Sequence, residues 1–116
     1  MFQEMSESQD NVLGFRVVGD VTKDDYSTLV PEVEAAAKKF GSIRLLFDLT
    51  NFKWEKADAW KSDLDFGDEF KNSIERMALV GSQSWGKYMA KLAMPFYAQE
   101  VEWFEDADKA WTWVKS

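Results

Sequence analysis

The chain has 116 residues, 46% of them hydrophobic, 30% charged and 16% aromatic, and carries a formal net charge of -7. That apolar load excludes a disordered chain, and the acidity excludes a binder of nucleic-acid backbone, which needs clustered Lys and Arg. With no Cys and no His, a disulfide framework, a thiolate nucleophile, a Cys/His zinc site and an imidazole base are excluded as well.

Met1 to Ser6 reads as a short strand and Val12 to Gly19 as a longer one. Gln9, Asp10 and Asn11 between them are turn formers, so an antiparallel hairpin is expected. Thr22 is placed to cap the helix that follows, with Asp25 three residues on. Tyr26, Leu29, Val30, Val33, Ala37 and Phe40 recur at helical spacing, and Gly41 closes the segment. Pro31 withdraws one backbone donor and predicts a kink or a restarted helix.

Ile43 to Asp48 is the next strand, followed by a loop over Thr50-Asn51-Phe52-Lys53-Trp54. Ala57, Trp60, Leu64 and Phe70 mark one face of a second helix. Ile74 to Gly81 is almost wholly apolar after Arg76, as a central parallel strand should be. Ser84, or Ser82 before it, caps a third helix bearing Trp85, Tyr88, Met89, Leu92 and Phe96, and Pro95 ends it. Glu100 to Phe104 alternates as a strand near an edge. Asp106 caps a last helix in which Ala107, Ala110, Trp111 and Val114 share a face.

The fold class is therefore α/β, a single domain over residues 1–116. It is a singly wound, mostly parallel five-stranded sheet with the first strand antiparallel and four helices. The leading residues Met1 to Glu7 hold no basic and apolar leader, and no apolar run approaches the roughly 18 residues of a membrane span. A cytoplasmic protein without a membrane span is expected.

Side chains alternate along a strand, so each strand divides by parity. One set is Leu13, Phe15, Val17, Ile43, Leu45, Phe47, Met77, Leu79, Val101 and Trp103, all apolar, and this face should carry the helices. The other set mixes Leu46, Val80 and Phe104 with Arg16, Arg44, Arg76, Glu100 and Glu102. An unpaired buried arginine costs several kcal/mol (roughly 3–5), so that face must be wet, internally paired or shared with a partner. A homodimer interface over Arg16, Arg44, Arg76, Glu102 and Phe104 would cover the aliphatics, and a solvated face with Arg–Glu pairs is the plainer alternative.

Parallel sheets bind ligands outside the carboxyl ends of their strands. That rim holds Asp48, Thr50 and Asn51 after one strand and Ser82, Ser84 and Trp85 after the next. Ser84 sits on a strand-to-helix turn, yet position 82 is Ser where a nucleophile elbow has Gly, and no His can take the proton. A helix cap explains it better. The acidic group Asp63, Asp65, Asp68 and Glu69 fails the calcium-loop pattern, because Asp68 stands at the invariant Gly position and Ile74 at the terminal Glu. It reads as a solvated helix face, so no metal and no cofactor is expected. Asp48 reads either as a loop-ordering acceptor or as a ligand anchor. Trp103 and Trp111 fall on apolar stripes and belong to the core, whereas Trp54, Trp60 and Trp85 fall around the rim, as extra packing or as an apolar binding patch.

Four stretches carry a resemblance over nearly the whole chain. They are Gly19-Asp20-Val21-Thr22-Lys23-Asp24-Asp25-Tyr26, Ile43-Arg44-Leu45-Leu46-Phe47-Asp48, Ile74-Glu75-Arg76-Met77-Ala78-Leu79-Val80-Gly81 with Trp85 following, and Val101-Glu102-Trp103-Phe104 leading to Ala110-Trp111-Thr112-Trp113. Together they resemble the SpoIIAA-like family, relatives of the STAS (anti-sigma-factor antagonist) domain. The resemblance implies a singly wound β/α sheet and non-enzymatic work, binding partner proteins or small ligands. Sigma-regulating antagonists carry a phosphorylatable Ser at the start of the helix after the third strand. Lys56-Ala57-Asp58-Ala59-Trp60 has no hydroxyl there, and Ser62 lies inside the helix, so that switch does not transfer.

The reading is a non-catalytic module, expected to be a homodimer, that recognises a protein or an apolar small molecule at the rim through Asp48, Thr50, Asn51, Trp54, Trp60, Ser82, Ser84 and Trp85. Two alternatives stand beside it: an enzyme using Asp48 with Ser82 or Ser84, and a ligand-free interaction domain acting through the arginine-bearing face.

Overall fold

A computed structural model of the chain describes residues 1–19, 23–52, 72–81 and 99–116. The elements are β1 (Phe2–Glu4), β2 (Val12–Gly19), α1 (Lys23–Phe40), β3 (Ile43–Phe52), β4 (Ile74–Val80), β5 (Glu100–Phe104) and α2 (Ala107–Lys115). The two helices expected between β3 and β4 and between β4 and β5 lie outside the described residues, as does the Thr22 cap.

β1 and β2 form the expected antiparallel hairpin, with Phe2 opposite Val17 and Glu4 opposite Phe15. Its turn is closed by Gln9 and Val12, whose backbone groups exchange hydrogen bonds of 2.8 and 2.9 Å. Asp10 takes a left-handed φ of 54° there, a conformation a short polar residue tolerates better than a branched one.

The sheet order is β1-β2-β3-β4-β5, parallel from β2 onward. Each crossover moves one strand further in the same direction, the singly wound pattern that the sequence predicts. β3 is longer than expected and runs through Thr50 to Phe52. Pairing with β2 resumes after a register shift, Val18 opposite Asn51 and Gly19 opposite Phe52, so these residues of the predicted loop belong to the strand, and Lys53 and Trp54 lie outside the described residues.

α1 continues through Pro31 as one element, with no restart. Asp24 and Asp25 in its first turn and Lys38 and Lys39 in its last oppose the helix dipole at both ends. Gly41 ends it at a φ of 83°, its N–H donating to the Ala37 carbonyl at 2.8 Å. Leu29 and Val33 from α1 pack against Phe15, Val17, Ile43, Leu45, Phe47, Met77, Val101 and Trp103, which is the face that parity marks as apolar. Burying each large aliphatic contributes about 1.5–3 kcal/mol.

The second face departs from expectation. It is not left open: α2 folds across it, and Ala110, Trp111 and Val114 join Met5, Val12, Leu46, Ala78 and Val80 in a separate core. The right-handed crossover rule governs only segments that join two parallel strands. α2 does not join two strands of this sheet, so the rule leaves its apolar stripe free to bury the aliphatics of the remaining face. Leu46, Ala78 and Val80 are 0%, 0% and 3% exposed as a result. The cover expected from a second subunit comes instead from the end of the same chain.

Candidate functional site

At the carboxyl-end rim, Asp48 is occupied with local structure. One of its carboxylate oxygens, Oδ1, accepts from the Thr50 backbone N–H at 3.0 Å and from the Thr50 hydroxyl at 2.6 Å. The other, Oδ2, lies 3.9 Å from Nε of Arg16, its register partner on β2. Arg16 is half exposed, so this pair contributes at most about 1 kcal/mol. Asn51 lies in β3, opposite Val18. Trp54, Trp60, Ser82, Ser84 and Trp85 lie outside the described residues.

On the first face the same rim carries Trp103 near the end of β5. Gly81, just after β4, lies under its ring: a Cβ at that position would come within 2.8 Å of the indole. Only a glycine admits so close an approach. Trp103 is 7% exposed, and its indole N–H, like that of Trp111 on the other face, has no hydrogen-bond partner among the described residues. An unmade buried hydrogen bond costs roughly 1–3 kcal/mol, which an acceptor reaching this donor would recover.

The arginines of the second face are paired within the chain. Arg44 donates one guanidinium N–H to the Val114 carbonyl at 3.0 Å and another to Glu75 at 2.5 Å. Arg76 donates to the Trp113 carbonyl and to the Ser116 hydroxyl, both at 2.8 Å, and its Nε lies 3.4 Å from a Glu100 oxygen. The last turn of a helix leaves carbonyls without intrahelical donors; Arg44 supplies one to Val114, and Arg76 adds a charged donor to Trp113, whose carbonyl also accepts from the Ser116 N–H and hydroxyl. Phe104 packs on Trp113, ring centroids 5.6 Å apart. Glu102 is exposed on β5. The five residues expected at an interface thus divide: Arg44, Arg76 and Phe104 hold α2, Arg16 meets Asp48, and Glu102 faces solvent.

Sequence reasoning missed this capping role, although a signal was present. That signal is the pair Arg44 and Arg76 at register positions of two neighbouring strands, on a face that also carries Leu46, Ala78 and Val80, where each guanidinium needs acceptors brought over it. Among the described residues no group of three or more acidic, His or Cys side chains could hold a metal ion, and no helix is long and apolar enough to cross a membrane. The acidic group at Asp63 to Glu69 lies outside them.

A singly wound sheet with an antiparallel first strand and a helix on the first crossover is the STAS-like class of α/β domain. The sequence model of the SpoIIAA-like family matches residues 12–115, and the chain belongs to that family. It is similar in structure to an uncharacterised protein of the DUF3478 family with a SpoIIAA-like fold from Shewanella loihica PV-4, at 26% identity and a TM-score of 0.77. The alignment covers 98% of this chain and 92% of that one. Among curated proteins none matches the sequence.

Proposed function

We propose that the protein is a non-catalytic binding module of the cytoplasm that takes up an apolar small molecule, or an apolar side chain of a partner protein, at the carboxyl-end rim of its sheet. The observation that carries this reading is the Trp103 indole, buried at the rim over Gly81 with its N–H donor unpartnered among the described residues. Membership of the SpoIIAA-like family supports a binding or regulatory role over catalysis. Asp48 supports it too, since both of its carboxylate oxygens are directed to Thr50 and Arg16 instead of to a reacting group. Trp54, Trp60 and Trp85, outside the described residues, are the further aromatics that the sequence puts after β3 and β4.

Dodecanoate serves as the probe, with tryptophan emission as the readout. The wild-type spectrum should shift and saturate, and the double variant Trp54→Ala/Trp85→Ala should lose the shift with its far-ultraviolet circular dichroism unchanged. A wild-type spectrum that never moves overturns the small-molecule reading. A double variant that unfolds places those aromatics in the core and overturns the rim assignment.

A further inference from the structure

A second surface, independent of the rim, lies on the outer flank of α2 and the neighbouring strand β5. Trp113 stands off the apolar stripe of α2 and is half-buried. One side of its indole rests on Phe104, and the Arg76 guanidinium lies 5.1 Å from the ring centroid. Beside it opens a depression of about 420 Å³ lined by Asp108, Lys109, Thr112, Trp113 and Ser116. The indole is thus an apolar wall on an otherwise polar helix face, and it already attracts one cation.

Among the described residues the charges around this wall are mostly of one sign. Glu100 and Glu102 stand on β5, whose Phe104 meets the indole, and Asp106 and Asp108 open α2, against Lys109 in the lining and Arg76 over the ring. Arg76 is matched by Glu100, and Asp106 is spent as the N-cap of α2, accepting from the Asp108 and Lys109 backbone N–H groups. The exposed carboxylates of Glu102 and Asp108 have no ion-pair or hydrogen-bond partner among the described residues. The parity of β5 puts Glu102 on the same side of the sheet as α2. Two exposed carboxylates against one lysine, beside a half-buried indole that already attracts a guanidinium, favour a cation carried on an apolar chain.

We propose that this flank of α2 and β5 docks a basic segment of a partner protein, with Lys or Arg meeting Glu102 and Asp108 and an adjoining apolar side chain entering the depression against Trp113. The probe is an acetylated, amidated peptide of alternating lysine and leucine, measured by calorimetry and by amide and indole shifts in NMR. Binding should weaken at least tenfold in Glu102→Lys/Asp108→Lys, and the Trp113 indole N–H should be among the largest shifts. A control pair, Glu4→Lys/Glu32→Lys, alters the net charge equally at exposed sites on β1 and α1 and should leave affinity within about twofold of wild type. Equal losses in both pairs would show charge attraction without a site and overturn the proposal. So would shifts that spare Trp113, or absence of binding at millimolar peptide. Because α2 and Glu102 lie on the opposite face of the sheet from Trp103, dodecanoate binding should be the same in Glu102→Lys/Asp108→Lys, and failure of one reading does not decide the other.

Discussion

Arg76 engages Trp113 twice, through a 2.8 Å hydrogen bond to its carbonyl and a guanidinium 5.1 Å from its ring centroid. One side chain on a central strand thereby fixes both the end of α2 and the position of its outward aromatic. Arg44, its register partner on β3, does the same for the neighbouring carbonyl of Val114.

These two arginines should matter to stability and not to assembly. Arg44→Met is expected to lower unfolding free energy by about 1–3 kcal/mol, because it removes a charged donor from a carbonyl and leaves Glu75 without its partner. Arg44→Lys should recover only part of that, since an ammonium cannot reach both acceptors with the planar fork of a guanidinium. Urea unfolding measures the loss. In Arg44→Glu/Arg76→Glu the stability should fall while the sedimentation coefficient of the remaining folded protein stays that of wild type. A dimer that dissociates at unchanged stability would place the arginines in an interface instead.

Gly14 offers a sharper test of the second face. A Cβ at this position would collide with the benzo edge of the Trp111 indole. Gly14→Ala should therefore cost about 1–3 kcal/mol by overpacking. Trp111→Phe shortens the ring at the colliding edge, so Gly14→Ala/Trp111→Phe should cost less than the sum of the single variants. Thermal unfolding of all four proteins closes the cycle, and simple additivity would show that α2 does not seat Trp111 on Gly14.

Most of this fold is legible from parity and helical spacing. Leu45 and Phe47 alternate with Arg44 and Leu46, and that pattern alone orders the strands' faces and puts α1 on the right side. The position of α2 is not legible in the same way. Its stripe of Ala110, Trp111 and Val114 shows that it buries a face, but not which one, because the crossover rule constrains only a helix that joins two parallel strands of the sheet. The arginines of the second face suggest water or a partner when read one strand at a time. They become intelligible only once the carbonyls of Trp113 and Val114, some 40 to 70 residues later, are brought over them. At the rim, Asp48 beside Thr50 announces its local hydrogen bonds, whereas the unused donor of Trp103 depends on what stacks around it in space.

The turn of the hairpin gives a local prediction. Asp10 holds its left-handed φ of 54° in a two-residue loop closed by Gln9 and Val12. Asp10→Val should destabilise by about 1–2 kcal/mol, the steric cost of that conformation for a branched side chain. Asp10→Gly should stay within about 0.5 kcal/mol of wild type, since Gly takes the same φ freely but loses more chain entropy on folding. Equal losses in both variants would mean that the Asp10 carboxylate, and not the backbone, decides the turn.

The last prediction concerns what α2 replaces. Ending the chain at Glu105 uncovers Met5, Val12, Leu46, Ala78 and Val80, a contiguous apolar surface at the middle of the sheet. Exposed patches of that kind drive association, with a second copy of the same face as the nearest apolar partner. The shortened chain should therefore elute as a dimer or larger species at concentrations where the full chain elutes smaller. A synthetic peptide of residues 106–116 added in excess should return it to the smaller form, because Trp111 would again occupy the notch over Gly14. A shortened chain that elutes like the full one and keeps its strand content would show that α2 is dispensable to that face.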